Sequence, residues 1–191
     1  HLDIAKKAAI NEPRLQGIFQ IFEFGLNAIH KNAIWTNTKF NDKIRELCRI
    51  KAETGMLELL PSQRKAMTEN LLDVAANVTV LQMPTSAGKT LLAEFNIIIT
   101  KALRADAKIV YIVPSRALVN QVYYDLKSDL EELGFAIEKT SSAIEVDPTE
   151  DSFLSGDEKI DVLISTPEKL DLLIRRRHPS VDDVSMFIID E

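Results

Sequence analysis

Hydrophobic residues recur at helical spacing through the first 58 residues of the chain, a part that contains no valine. Successive apolar positions lie three or four residues apart, which places them on one face of a helix; they are Ile18, Phe22, Leu26 and Ile29, then Phe40, Ile44, Leu47 and Ile50. Pro13 and the polar stretch at 36–42 predict helix boundaries. We expect a helical extension packed against the next domain, or alternatively a partner-binding module.

Helices and apolar strand-like runs alternate after Leu60. The predicted helices are Pro61 or Ser62 to about Val74, the mostly apolar "LLAEFNIIITKAL" after Lys89, a helix with one face formed by Leu118, Val122, Leu126, Leu130 and Leu133, and "PEKLDLLIRRR". The predicted strands are "VTVL" at 78–81, "KIVYIV", "FAIEKT", "DVLIST" and "SMFIID". Strands that are apolar throughout and separated by helices indicate an α/β fold with a parallel sheet covered on both faces.

Composition narrows the class of protein. An apolar content of 46% in 191 residues is enough for a buried core. The net charge of −6 excludes a global basic field, so any nucleic-acid binding must be local. The single cysteine, Cys48, cannot form an internal disulfide, and no apolar run approaches the length of a membrane span. We expect a cytoplasmic protein that binds no membrane.

Two further stretches affect the interpretation. The acidic segment at 141–159 predicts a solvated, mobile loop, with an acidic docking site as the alternative. The chain begins with His1 and ends on the strand-like run "FIIDE". We therefore expect a fragment of a longer protein.

Four strands are each followed by an unusual polar stretch. These stretches are "MPTSAGKT", "PSRALVNQ", "STPEKLD" and the terminal "DE". Ligands of an open parallel sheet bind at the carboxyl ends of its strands, and these ends share one edge. The four stretches therefore predict one site.

The first stretch resembles a phosphate-binding loop without its opening glycine. In the pattern G-x-x-x-x-G-K-[ST] the first position falls on Met83, and only Gly88, Lys89 and Thr90 match. Such a loop needs backbone N–H groups at a helix start, a lysine for phosphate and a hydroxyl for Mg²⁺. Alone, the match fits a nucleotide site or an ordinary helix start. Asp190 and Glu191 favour the nucleotide site, because triphosphate hydrolysis needs carboxylates opposite the loop.

In their order along the chain, "MPTSAGKT", "VPSRALVNQ", "STPEKLD" and "IIDE" resemble motifs I, Ia, Ib and the start of motif II of superfamily 2 helicases. Motif I of that family commonly lacks the first glycine. The residues of "PSRALVNQ" and "TPEKLDLLIRR" are most similar to those of the branch of exosome-associated, spliceosomal and related DNA-repair helicases. The resemblance implies a three-layer RecA-like P-loop NTPase lobe with a mainly parallel sheet at 59–191, ending within motif II, after a helical extension at 1–58.

The resemblance implies roles for individual residues. Lys89 would contact the β and γ phosphates of ATP, Thr90 and Asp190 would hold Mg²⁺, and Glu191 would position the attacking water. Backbone groups of the loop would cradle phosphate; they belong to Thr85, Ser86, Ala87 and Gly88. Gln63 would read adenine through its amide, or would be an ordinary helix-surface glutamine.

Nucleic acid would lie over the other loops, contacted by Arg116 and Thr166 and more weakly by Asn120 and Gln121. The basic "RRRH" at 175–178 is either a solvated helix end or a strand-binding surface. The implied protein is an ATP-dependent helicase acting on single-stranded or partly duplex RNA or DNA. A second RecA-like lobe of the same chain would supply arginine fingers, so the fragment alone should be nearly inactive. A non-unwinding translocase and a nucleotide-gated scaffold are the alternatives.

Overall fold

The computed structural model describes residues 4, 6–7, 12–38, 41–69, 71–73, 78–84, 87–140 and 159–190. Its helices are α1 Pro13–Asn32, α2 Ile34–Asn37, α3 Asp42–Glu53, α4 Pro61–Thr68, α5 Lys89–Leu103, α6 Arg116–Leu130 and α7 Pro167–Arg175, followed by a 3-10 turn at Pro179–Val181. Its strands are β1 Lys108–Ile112, β2 Ile137–Lys139, β3 Val162–Ser165 and β4 Val184–Ile189.

The four strands form one parallel sheet in the order β2-β3-β1-β4. The central strand, β1, pairs Ile112 with Ser165 of β3 on one side and with Ile189 of β4 on the other. The carboxyl ends of these three strands are therefore level along one edge. This confirms the predicted α/β fold with a parallel sheet.

Helices cover both faces of the sheet. Ile109 and Tyr111 of β1 belong to a large apolar core that includes side chains of α5 and α6. Leu163 of β3 faces the other way and packs with Leu173 of α7. Successive strand residues point to opposite faces, so the alternation places α7 on the side opposite α5 and α6. The three layers are those that the sequence predicted.

The N-terminal helices differ in how they pack. Leu47 of α3 is fully buried in the same core as the sheet, and Lys51 of α3 lies 3.0 Å from Glu94 of α5. In contrast, α1 has no buried residue, and its Phe22 is 63% exposed. The expectation that the apolar face of α1 packs against the domain is therefore wrong. Apolar periodicity shows that a helix face is apolar; it does not show what covers it. Phe40 lies outside the described residues.

The predicted strand at 78–81 is also corrected. These residues pair with none of the strands that the structure describes, and the Val80 side chain is 88% exposed. Within the described parts of the chain, nothing pairs with the outer edge of β4, where Phe187 and Ile189 are exposed. β-branched residues favour an extended backbone, but a strand also needs a neighbour that accepts its hydrogen bonds.

Two smaller differences concern helices. The helix predicted to reach about Val74 ends at Thr68, and Val74 lies outside the described residues. Val119 is buried in α6, whereas Leu118 is only partly buried.

In the described ranges, no helix has the length and apolar character needed to cross a bilayer. The acidic segment at 141–158 is likewise outside the description.

Candidate nucleotide and nucleic-acid site

The candidate phosphate loop ends at Gly88, directly before α5. Gly88 has a φ of +76°, a left-handed conformation that side chains disfavour. A Cβ atom there would lie 2.1 Å from Nε2 of Gln63. Gln63 donates a hydrogen bond of 2.9 Å to the Gly88 carbonyl and accepts one of 2.8 Å from the Leu60 amide. The start of α5 is thus fixed against α4, and the left-handed backbone favours glycine at position 88.

Met83 occupies the position of the missing glycine. Its side chain is partly buried and packs against the main core. The Ala87 amide donates a hydrogen bond of 3.2 Å to the Pro84 carbonyl. A side chain is therefore accommodated at position 83, because it packs against the core. Thr85 and Ser86, predicted to cradle phosphate, lie outside the described residues.

Lys89 and Asp190 meet across the sheet edge. Lys89 Nζ lies 3.7 Å from Oδ1 of Asp190, and both side chains are partly exposed. The Asp190 amide donates a 2.9 Å hydrogen bond to the carbonyl of Ile112, which continues the β1–β4 pairing by one residue. The parallel sheet therefore brings together the lysine of the loop and a carboxylate that is distant along the chain.

Tyr111 holds the other oxygen of Asp190. This tyrosine is 1% exposed, and its hydroxyl donates a 3.0 Å hydrogen bond to Oδ2 of Asp190. Burial and the nearby Asp190 charge raise the pKa of Tyr111 above its ordinary value, so the phenol stays protonated and acts as a donor. Sequence reasoning missed Tyr111, although a lone hydroxyl in an apolar strand was a visible signal.

The residues around Asp190 fit a magnesium ion. Mg²⁺ prefers oxygen ligands and usually takes one or two protein carboxylates together with phosphate oxygens and water. Asp190 offers Oδ1 while Tyr111 fixes Oδ2, and Thr90, in the first turn of α5, is partly exposed. No group of three His, Cys, Asp or Glu side chains suited to a metal occurs among the described residues. Glu191, predicted to position water, lies outside the described residues.

A buried ionic cluster lies further along α5. Glu94 is fully buried, and Lys51 of α3 contacts both Glu94 and Asp129 of α6. Burial raises the pKa of Glu94 to about 8, although the Lys51 charge acts in the opposite direction. Because α5 starts at Lys89, this cluster ties the helix that carries the loop lysine to both α3 and α6.

The predicted nucleic-acid residues follow β1 and β3. Arg116, Asn120 and Gln121 are exposed on the first turns of α6, which Ser115 caps by accepting a 3.3 Å bond from Leu118. Thr166 is mostly buried and caps α7 by accepting a 3.4 Å bond from the Lys169 amide. Because the carboxyl ends of β1 and β3 are level, the starts of α6 and α7 lie at the same edge of the sheet.

Two features were not predicted, one at this edge and one at the far end of α7. Asn120 accepts a 2.7 Å hydrogen bond from Lys139, the last residue of β2. Sequence gave no signal for this contact, because it joins two separate elements. In the basic stretch, His178 is buried with its Nδ1 accepting from the Ser180 amide, whereas the side chains of Arg175, Arg176 and Arg177 are exposed.

Comparisons with known proteins agree with this arrangement. The DEAD/DEAH box helicase family model matches residues 60–191. An ATP-dependent DNA helicase Hel308 of Pyrococcus abyssi is 37% identical over 79% of this chain and 19% of its own length. Another Hel308, from Methanocaldococcus jannaschii, is 34% identical over 78% of this chain and 12% of its length.

A further relative reaches the N-terminal helices. Hachiman protein HamB of Bacillus cereus is 27% identical over 95% of this chain and 16% of its own length. The chain thus spans at most about a fifth of the length of these curated relatives. Because the family model covers most of the sequence, the chain belongs to the DEAD/DEAH box helicase family.

Proposed function

We propose that this chain is the first motor lobe of an ATP-dependent nucleic-acid helicase that acts in the cytoplasm. The lobe begins near residue 59, and residues 1–58 form an extension whose α3 joins the core of the lobe. The observation that carries the proposal is the Lys89–Asp190 pair, 3.7 Å apart at the start of α5. P-loop ATPases use a lysine to contact the phosphates and a carboxylate to hold Mg²⁺, and this pair matches those two parts.

In this proposal the protein binds and orients the triphosphate. Backbone N–H groups at the start of α5 and the partial positive charge of its N-terminus attract phosphate, and Lys89 contacts the β and γ phosphates. Asp190 and Thr90 would hold Mg²⁺, which neutralises charge on the phosphate oxygens when it is bound. Glu191 would orient the attacking water.

Gln63 has a further role in this proposal, which is to read adenine. Its side chain is 1% exposed, with one hydrogen bond at each end of the amide. An amide oxygen has a second lone pair and an amide nitrogen a second proton, and adenine would use them once the buried amide becomes accessible to it. The wild-type protein should select ATP over GTP, and Gln63→Ala should lose this selectivity. That result would support the role.

The nucleic acid in our proposal is single-stranded or partly duplex DNA. The support is that relatives 31–37% identical to this chain are named ATP-dependent DNA helicases. Arg116 would contact a backbone phosphate, with Thr166, Asn120 and Gln121 nearby on the same edge. Contacts to phosphate carry no sequence information, which suits a motor that moves over any sequence. A second RecA-like lobe of the same protein would complete the ATP site.

ATP hydrolysis by the whole protein tests the proposal. The rate is measured without nucleic acid, with single-stranded DNA and with single-stranded RNA, and Lys89→Ala serves as the inactive control. We expect DNA to stimulate hydrolysis and Lys89→Ala to abolish it. Stimulation by RNA alone would reassign the substrate. If nucleic acid binds but stimulates neither hydrolysis nor strand separation, the protein is a nucleotide-gated scaffold.

A further inference from the structure

One exposed face of α6 continues away from the candidate nucleic-acid edge. Arg116, Asn120 and Tyr124 lie four residues apart, so they line up along the helix, and all three are exposed. At a rise of about 1.5 Å per residue, Tyr124 lies about 12 Å along the axis from Arg116. The face thus leads from a predicted phosphate contact to an exposed aromatic ring.

Lys139 of β2 organises the aromatic end of this face. Its Nζ lies 4.5 Å from the ring centroid of Tyr123 and 4.9 Å from that of Tyr124, while it donates a hydrogen bond to Asn120. The two tyrosine rings meet edge to face, with centroids 5.3 Å apart. We call Tyr123, Tyr124 and Lys139 the tyrosine platform.

The two rings of the platform differ in availability. Tyr123 is partly buried, and its hydroxyl accepts a 3.0 Å hydrogen bond from Lys127, whose Nζ also lies 5.3 Å from the ring centroid. Lysines therefore hold Tyr123 at both its hydroxyl and its ring. Tyr124 contacts Lys139 and the ring of Tyr123, yet its side chain is 64% exposed. It is thus a ring held in place with much of its surface open to solvent.

A ring of this kind, next to a lysine, suits a nucleobase. Proteins that bind single strands without sequence preference combine basic groups that follow the backbone with aromatic rings on which bases stack. Here Lys139 and Lys127 supply the charge and Tyr124 the ring. The acidic neighbours Asp125, Glu131 and Glu138 oppose a strong electrostatic contribution, and Glu131 is itself paired with Lys127 at 3.7 Å. Stacking should therefore contribute more than charge.

We propose that Tyr124 of the tyrosine platform stacks on a base of the single strand whose phosphate Arg116 contacts. This inference rests on the proposed function, because it extends the same nucleic-acid path along α6. The platform would hold the strand without reading its sequence, since every base presents a flat face. Lys139 is a positioning residue that orients Tyr124 and Asn120 together.

The test is binding of fluorescein-labelled oligothymidylate to the whole protein, followed by anisotropy. Tyr124→Ala should weaken binding about tenfold, and Tyr124→Phe, which keeps the ring, should bind like the wild type. An oligomer of the same length that lacks its bases should bind the wild type more weakly than oligothymidylate. Tyr124→Ala should discriminate less between the two oligomers, because the stacking contact is already lost.

Arg116→Ala separates the inference from the function on which it rests. If Arg116→Ala weakens binding and Tyr124→Ala does not, the tyrosine platform is not a base contact and the proposed function stands. If the wild type binds no nucleic acid, both are overturned. Equal losses on both oligomers in Tyr124→Ala would show that the ring acts on the fold and would also overturn the inference.

Discussion

Tyr111 donates a hydrogen bond from its buried hydroxyl to Oδ2 of Asp190, 3.0 Å away. Tyr111 lies in the middle of β1 and Asp190 directly after β4, so the bond ties the candidate metal-binding carboxylate to the neighbouring strand. While Tyr111 contacts Oδ2, the other oxygen of Asp190, Oδ1, lies 3.7 Å from Lys89 Nζ. A fixed carboxylate loses less conformational entropy when it binds a cation.

Tyr111→Phe should weaken Mg²⁺-dependent binding of ATP by roughly tenfold, because a hydrogen bond to a charged group contributes about 1.5–3 kcal/mol. A fluorescent ATP analogue titrated at several Mg²⁺ concentrations measures the effect. Binding of the same analogue in EDTA is the internal control and should not change. Equal losses with and without Mg²⁺ would show that the phenol supports the fold rather than the carboxylate.

Gly88→Ala should destabilise the chain and weaken nucleotide binding. The left-handed backbone costs an L-residue about 1–2 kcal/mol, and the new methyl group meets the Gln63 amide. Thermal unfolding and ATP binding report the two effects. In the double variant Gln63→Ala, Gly88→Ala the clash is removed and the backbone cost remains. Its loss of stability should therefore be smaller than the sum of the losses in the two single variants. Strict additivity would contradict the contact between these residues.

The chain should lose stability as pH rises from about 6 to 8. Burial raises the pKa of folded Glu94 to about 8 from the ordinary 4.5 that the unfolded chain retains. Between those values the folded state binds the extra proton, so the free energy of unfolding falls with rising pH, on the order of 1 kcal/mol per unit. Urea unfolding at several pH values measures this slope. Glu94→Gln should flatten it, and an unchanged slope would assign the dependence to another group.

Leu47→Ala should lower the free energy of unfolding by about 2–5 kcal/mol, because Leu47 is fully buried in the core that α3 shares with the sheet. Phe22→Ala in α1 is the matched control, since its side chain is 63% exposed. It should change stability by less than about 0.5 kcal/mol. A large loss in the control would mean that α1 is covered in solution. A small loss in Leu47→Ala would mean that the extension folds separately.

The sequence predicted the features of the sheet that depend on local pattern. Continuous apolar runs between helices gave four of the five strands, and polar stretches after three of these placed Arg116, Thr166 and Asp190 near one edge. Lys89 lies beside Asp190 at the same edge, although the run before its loop is not a strand. The strand at 78–81 was wrong, because composition favours an extended backbone without supplying a neighbouring strand. Strand formation depends on pairing as well as on local preference.

Contacts between separate elements could not be predicted. The Tyr111–Asp190 bond depends on the register of β1 with β4, and the Lys139–Asn120 bond on the packing of α6 against β2. Tyr111, Asp190 and Asn120 are each visible in the sequence as candidates, but the sequence does not show which side chains they contact. The roles predicted for the individual site residues all stay predictions, and Thr85, Ser86 and Glu191 also lie outside the described residues.

The outer edge of β4 determines how this chain should behave at high concentration. In the described sheet that edge offers unpaired backbone groups beside the exposed Phe187 and Ile189 side chains. An apolar strand edge of this kind is a template on which another molecule can add a strand. Self-association of concentrated samples should therefore begin at β4, and light scattering that grows with concentration would reflect edge-to-edge growth of the sheet rather than unfolding of the core.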